Sequence, residues 1–204
     1  MKEIRAEEYF AIGFELGKRN YWTIFFNFFI YIILGICLSI TVLGILLLPA
    51  LGASFTKFLL KAARGEEVDV GDSVSEGFKN GMWWKALLYY IIFLLGIFIG
   101  FMLFIAPGLY LATAWALGFY LLVDKNMLPT EALGKSRELV HQLGFWKIFA
   151  VYILLAIATN LISFIPVVGF LIIFLMPFYM MIYVGIYENA ISNALITTQA
   201  AQEV

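Results

Sequence analysis

Charge is what this sequence lacks most. Asp, Glu, Lys and Arg make up 13% of its 204 residues, while 63% are hydrophobic and 18% aromatic. An average soluble domain carries roughly a quarter charged residues, so this chain needs lipid as its solvent. The formal net charge of −1 gives no bulk field to draw nucleic acid or an anionic membrane surface, and no nucleic-acid partner is expected. Cysteine and histidine each occur once. Cys37 can form no intrachain disulfide, and its apolar neighbours lead us to expect a buried structural thiol. Glu138 and His141 have the spacing of one half of a carboxylate-bridged metal site, but no second histidine supplies the other half, and a solvated pair is expected. The sequence also lacks a glycine-rich phosphate loop of P-loop spacing and a Ser-His-Asp set in a supporting context. The acidic run from Glu66 to Glu76 lacks EF-hand spacing and reads as a solvated connector. Accordingly no catalytic residue, metal ligand or cofactor is expected, and the chain reads as not an enzyme.

The charges that remain are grouped. Uncharged blocks of 37, 38 and 40 residues run from Asn20 to Thr56, Ala86 to Val123 and Ile148 to Tyr187. One helix crosses the hydrocarbon core in about 20 residues, so each block predicts a helical hairpin. Continuous apolar character argues against barrel strands, which alternate. Three hairpins put every connector and both termini on one face, together with all thirteen Lys and Arg, and the positive-inside bias makes that face cytoplasmic. Lys18 and Arg19 precede an apolar run too long for a signal-peptide core and read as an inside-facing flank. Trp22, Trp83, Trp84 and Trp146 stand where the blocks begin, as interface anchors. Pro107-Gly108 and the segment from Pro166 to Gly169 signal turns. In the first block a turn at Pro49 would leave Lys57 near the bilayer centre. A turn between Ser39 and Gly44 instead lets Lys57 and Lys61 snorkel to the interface, so Pro49 is expected inside a helix, like Pro177.

The hairpins look repeated. Phe78 to Lys85 aligns without gaps on Val140 to Lys147, an offset of 62, and the same offset carries Trp84 back to Trp22. An amphipathic stretch precedes each block: Ala6, Tyr9, Phe10, Gly13, Phe14 and Gly17, then Val74, Gly77, Phe78, Gly81 and Met82, then Leu133, Ser136, Val140 and Leu143 after a start at Thr130-Glu131. The expected architecture is all-α: six transmembrane helices as three hairpins, each preceded by a short interfacial helix. It forms one membrane domain with repeat units at about 1–65, 66–127 and 128–190 and a cytoplasmic tail at 191–204.

The run from Lys61 to Glu67, Glu76-Gly77-Phe78, the Pro107-Gly108 pair, Asp124 and the segment from Glu131 to Val140 resemble a family of uncharacterised prokaryotic six-helix membrane proteins. That family is similar to the membrane domain attached to some glycerophosphodiester phosphodiesterases. The resemblance covers about residues 52–191 and implies a prokaryotic cytoplasmic membrane; it brings no catalytic residues with it.

The blocks contain no ionisable Asp, Glu, Lys or Arg, which is where proton relays and ion pathways are usually marked. Their hydroxyls and amides are expected to serve helix contacts. Asn27, Thr159 and Asn160 are the candidates to line a polar cavity, because a buried amide needs partners. Gly96 with Gly100, and Ala114 with Gly118, allow close helix packing, within the chain or in an oligomer. Lys85, Arg137 and Lys147 mark a cytoplasmic rim where a protein partner would dock. The expected function is a non-enzymatic structural or partner- and lipid-binding module of the cytoplasmic membrane. The alternative is a carrier, exporter or scramblase for a hydrophobic or amphipathic small molecule or lipid, since repeats are frequent in transporters.

Overall fold

The computed structural model describes residues 6–67, 74–163 and 171–202, and its regular structure is helical with no strand among them. The helices are α1 (Ala6–Arg19), α2 (Tyr21–Ser39), α3 (Val42–Arg64), α4 (Met82–Leu103), α5 (Ile105–Ala114), α6 (Gly118–Lys125), α7 (Pro129–Leu143), α8 (Phe145–Ser163) and α9 (Leu171–Gln202). Five stretches are long and apolar enough to cross a membrane: Tyr21–Ser39, Val42–Arg64, Lys79–Leu103, Ile105–Lys125 and Ile173–Leu195. The pair Pro129–Leu143 and Phe145–Leu161, bent by 98°, passes the same test only when taken together, which makes the spans five or six. Ile40, Val42, Leu43, Met102 and Phe104 are largely exposed, as suits a multi-pass protein solvated by lipid.

The chain divides into two compact units, Phe26–Glu138 and Met1–Phe25 with Leu139–Val204. In the first, α3 packs on α4 and α6, and α4 packs on α5. Tyr31 and Phe28 of α2 lie against Phe55 of α3. The first reversal falls at Ile40 and Thr41, whose side chain caps α3 by accepting from the Gly44 amide at 3.0 Å. Pro49 lies inside α3, as expected from the position of Lys57.

The second reversal comes one turn earlier than the sequence signal. Phe104 is the extended residue between α4 and α5, and Pro107 and Gly108 lie within the first turns of α5. A proline costs nothing there, because the first amides of a helix have no partner in it anyway. Gly108 is needed for packing rather than turning: a Cβ there would come within 2.5 Å of the Phe101 ring. Gly100 meets Gly108 and Gly96 meets the Trp115 ring, so the small-residue pattern packs α4 against α5. The expected turn from Pro166 to Gly169 lies outside the described residues.

In the second unit, α1 packs along α9. Tyr9, Gly13 and Gly17 form one buried row of α1, with the two glycines against Ile182 and Phe178. Phe14 stacks on Phe178 at 4.8 Å and carries Lys18 Nζ over its ring. Pro177 lies inside α9 and denies the Ile173 carbonyl its helical donor; at the neighbouring residue the Tyr21 hydroxyl donates to the Phe174 carbonyl at 3.0 Å.

Two expectations are corrected here. The second amphipathic stretch is not one helix: Asn80 (φ 53°) and Gly81 (φ 70°) are left-handed and split a 3₁₀ turn from α4. The helical spacing of Val74, Gly77, Phe78, Gly81 and Met82 concealed an Asn-Gly pair suited to that conformation. Cys37 is exposed rather than buried, because in a uniformly apolar span hydrophobic surroundings do not distinguish the lipid face from the packed one.

Candidate functional site: a lateral cleft and the polar clasps

Asn27 is buried on α2 in the first unit. Thr159 and Asn160 lie in the second, and each bonds its own helix: Thr159 Oγ1 donates to the Leu155 carbonyl and Asn160 Nδ2 to the Ala156 carbonyl, both at 2.8 Å. They then diverge. Thr159 lines a cleft of about 300 Å³ between α8 and α9, while Asn160 lies with Ile153, Ala156, Ile157 and Leu161 along another face of α8.

The α8–α9 cleft is walled by Leu155, Ala158, Leu175, Met176, Phe178 and Ile182, with Thr159 and Tyr179 as its polar members. It stands at the small end of the range for small-molecule pockets. Thr159 spends its proton on its own helix. Tyr179 shares a hydrogen bond of 2.9 Å with Tyr183, whose ring packs edge-on against Tyr152 at 4.8 Å. Tyr179 was not legible as a cleft residue, since nothing in an aromatic-rich span separates one tyrosine from the next.

The polar groups that organise the first unit are two serines. After Ala114 the chain tightens: the Ala116 amide bonds Thr113 O and the Gly118 amide bonds Trp115 O, each three residues back instead of four. That shift releases the Ala114 carbonyl and the Leu117 amide. Ser136 of α7 takes both, donating to Ala114 O at 2.8 Å and accepting from Leu117 N at 3.1 Å, at zero exposure. Tyr89 of α4 donates to the Trp115 carbonyl at 3.2 Å. A broken span is tolerated when a neighbouring hydroxyl satisfies the freed backbone. Ser54 of α3 plays the corresponding part for the connector. It accepts from the Gly77 amide at 2.8 Å and donates to the Val74 carbonyl at 2.8 Å, with its own Ala50 carbonyl as an alternative at 3.1 Å. Ser136 stood in the expected buried stripe of α7, and a hydroxyl on an apolar stripe was the available signal.

Charges collect where the spans end. Glu76, expected to be solvated, is instead met by Lys57 at 2.7 Å, Lys79 at 3.6 Å and Lys61 at 3.9 Å. The hydrogen bond from Lys57 and the charges of all three lysines outweigh desolvation and hold its carboxyl below the ordinary 4.5. Asp124 is nearly buried between Arg64 at 2.6 Å and Lys125 at 3.2 Å.

The rim candidates differ from one another. Lys85 donates to the Asn126 carbonyl at 2.9 Å and to its side-chain oxygen at 2.8 Å, so it caps the left-handed end of α6 where a cation suits the helix dipole. Arg137 is exposed on α7, and Lys147 is half-buried in the first turn of α8. Trp22, Trp83, Trp84 and Trp146 are all exposed. Glu138 pairs with Lys135 at 2.8 Å and His141 stacks on Phe145; among the described residues no three His, Cys, Asp or Glu side chains converge. No family model, curated protein or solved structure matches the chain.

Proposed function

We propose that this chain is a non-enzymatic lipid-binding module of a prokaryotic cytoplasmic membrane, with the α8–α9 cleft as the seat for an acyl chain. The cleft is the observation that carries this reading: it is apolar, it lies between two helices of membrane-spanning composition, and its volume of about 300 Å³ suits a small apolar occupant.

The reading includes three hairpins with both termini in the cytoplasm. Its support is the confinement of all Lys and Arg to the segments before and between the uncharged blocks. The docking of the stretches before the blocks supports a repeated unit. Gly13 and Gly17 meet α9, Gly77 meets α3, and Ser136 meets the α5–α6 break. In each case a small residue of the stretch lies against the span that precedes it, or, for the first stretch, against the last span.

Topology is tested with Glu67→Cys and Phe104→Cys on a Cys37→Ser background, labelled by an impermeant maleimide from either side. Opposite sides are expected; labelling from the same side refutes the hairpin. For the cleft, a phospholipid with a photoactivatable acyl chain, reconstituted with the protein, should mark α8 and α9 peptides, and Ala158→Trp should abolish the mark. Equal labelling of both proteins overturns the proposal. Transfer of fluorescent lipid between leaflets that Ala158→Trp also blocks would replace the binding module by a carrier.

A further inference from the structure

We propose that Lys57, Lys61 and Lys79, gathered round Glu76 where α3 ends and α4 begins, bind the phosphate headgroup of an anionic membrane lipid. The first argument is local charge. Three ammonium groups share one carboxylate, a surplus of two positive charges in a chain whose net charge is −1.

The second is availability. Lys57 makes the short contact of 2.7 Å, whereas Lys61 and Lys79 stand at 3.9 and 3.6 Å, beyond hydrogen-bond length. Glu76 therefore draws these two close without consuming their donors. Their side chains are 31% and 50% exposed, open to a group arriving from outside.

The third is depth. Fifteen residues of α3 separate Val42 from Lys57, about 23 Å along the axis in a hydrocarbon core of about 30 Å. Lys57 must extend toward the near interface, and Glu76 meets it there. Exposed Trp83 and Trp84 open α4 just after Lys79, and interfacial tryptophans lie at headgroup level. The surplus charge thus sits at the height of lipid phosphates, and basic pockets between spans on the cytoplasmic side suit such headgroups. Lysine binds phosphate as a point charge through rotatable donors. Inorganic phosphate has the same chemistry, but the interfacial position selects the lipid. This site is separate from the α8–α9 cleft and stands or falls without it.

The test uses the full chain in nanodiscs of equimolar phosphatidylglycerol and phosphatidylcholine, with retained lipid counted by native mass spectrometry. The wild type should retain phosphatidylglycerol preferentially. Lys61→Gln with Lys79→Gln should weaken that preference roughly 25-fold, about fivefold per lysine. Lys61→Arg with Lys79→Arg, which keeps the charge, should preserve it, and Glu76→Gln should strengthen it. The proposal is overturned if the glutamine pair retains the lipid like wild type, if Glu76→Gln loses it, if the arginine pair loses it, or if 10 mM inorganic phosphate displaces it.

Discussion

Removing the Ser136 hydroxyl should destabilise this protein more than removing any comparable hydroxyl that bonds its own helix. Ser136 is fully buried and serves two backbone groups at once, the Ala114 carbonyl and the Leu117 amide. Ser136→Ala leaves both without a partner, at about 1–3 kcal/mol each. Interhelical hydrogen bonds in membranes average only about 0.6 kcal/mol, because the unfolded chain in lipid finds other partners. That discount applies weakly here: an unbroken helix would satisfy both groups unaided, so the penalty belongs to the folded break. We therefore expect a loss of roughly 2–4 kcal/mol. Thr113→Val is the control, since Thr113 only doubles a carbonyl on its own helix, Leu109 O at 2.9 Å, and should cost less than about 1 kcal/mol. Steric-trapping measurements of unfolding in bicelles give both values, and Ser136→Thr should recover part of the loss. If Ser136→Ala costs no more than Thr113→Val, the clasp is not what holds the break.

The other predictions also concern stability, the glycine and tyrosine variants being read in the same assay. A Cβ added at Gly134, on the helical backbone of α7, would meet nothing within 4 Å, so Gly134→Ala should stabilise by about 0.5–1 kcal/mol; Gly77→Ala, whose methyl would overlap the Ala50 carbonyl, should destabilise by about 3 kcal/mol or more, and the reverse order would refute the packing. Tyr31 is 6% exposed and its hydroxyl has no hydrogen-bond partner among the described residues, so Tyr31→Phe should leave stability equal or raise it by about 1 kcal/mol; a loss would mean that the hydroxyl holds a bound molecule. Glu76 has its carboxyl held below 4.5 in the folded state, so its contribution is complete above that pH and is lost as pH falls through the depressed folded value. Melting curves of wild type and Glu76→Gln should therefore differ at pH 7 and converge as the pH falls below 4.5, and a gap that widens in acid would reverse the sign of the argument.

The spans were legible because lipid imposes a one-dimensional rule: enough consecutive apolar residues make a helix. Lys57 was legible in the same way, since its charge excluded a turn at Pro49 and placed the reversal near Thr41. What escaped was decided by neighbours. Pro107 carries the same letter whether it ends one helix or opens the next, and the close approach of Gly100 to Gly108 chose the second. Gly81 continued a helical spacing on paper, yet its left-handed backbone ends the 3₁₀ turn there. Cys37 shows the limit most plainly, because a span apolar on every side carries no mark of the side that packs.

The candidate site divides along the same line. Asn27, Thr159 and Asn160 stood out as polar residues in apolar blocks, but a hydroxyl or amide in a span first satisfies the nearest carbonyl, as Thr159 and Asn160 do. The serines that matter most, Ser54 and Ser136, instead reach across to backbone that another segment has left open. Their importance follows from a break in a partner helix, and a break of three residues in an otherwise apolar run has no composition of its own. The charges behave alike: Glu76 belongs to an acidic connector by sequence, and becomes the centre of a lysine cluster because Ser54 draws Val74 and Gly77 onto α3. The clasp that satisfies the connector backbone thus also delivers the carboxylate that gathers Lys57, Lys61 and Lys79. Loosening Ser54 must therefore disturb that charge cluster as well as the packing.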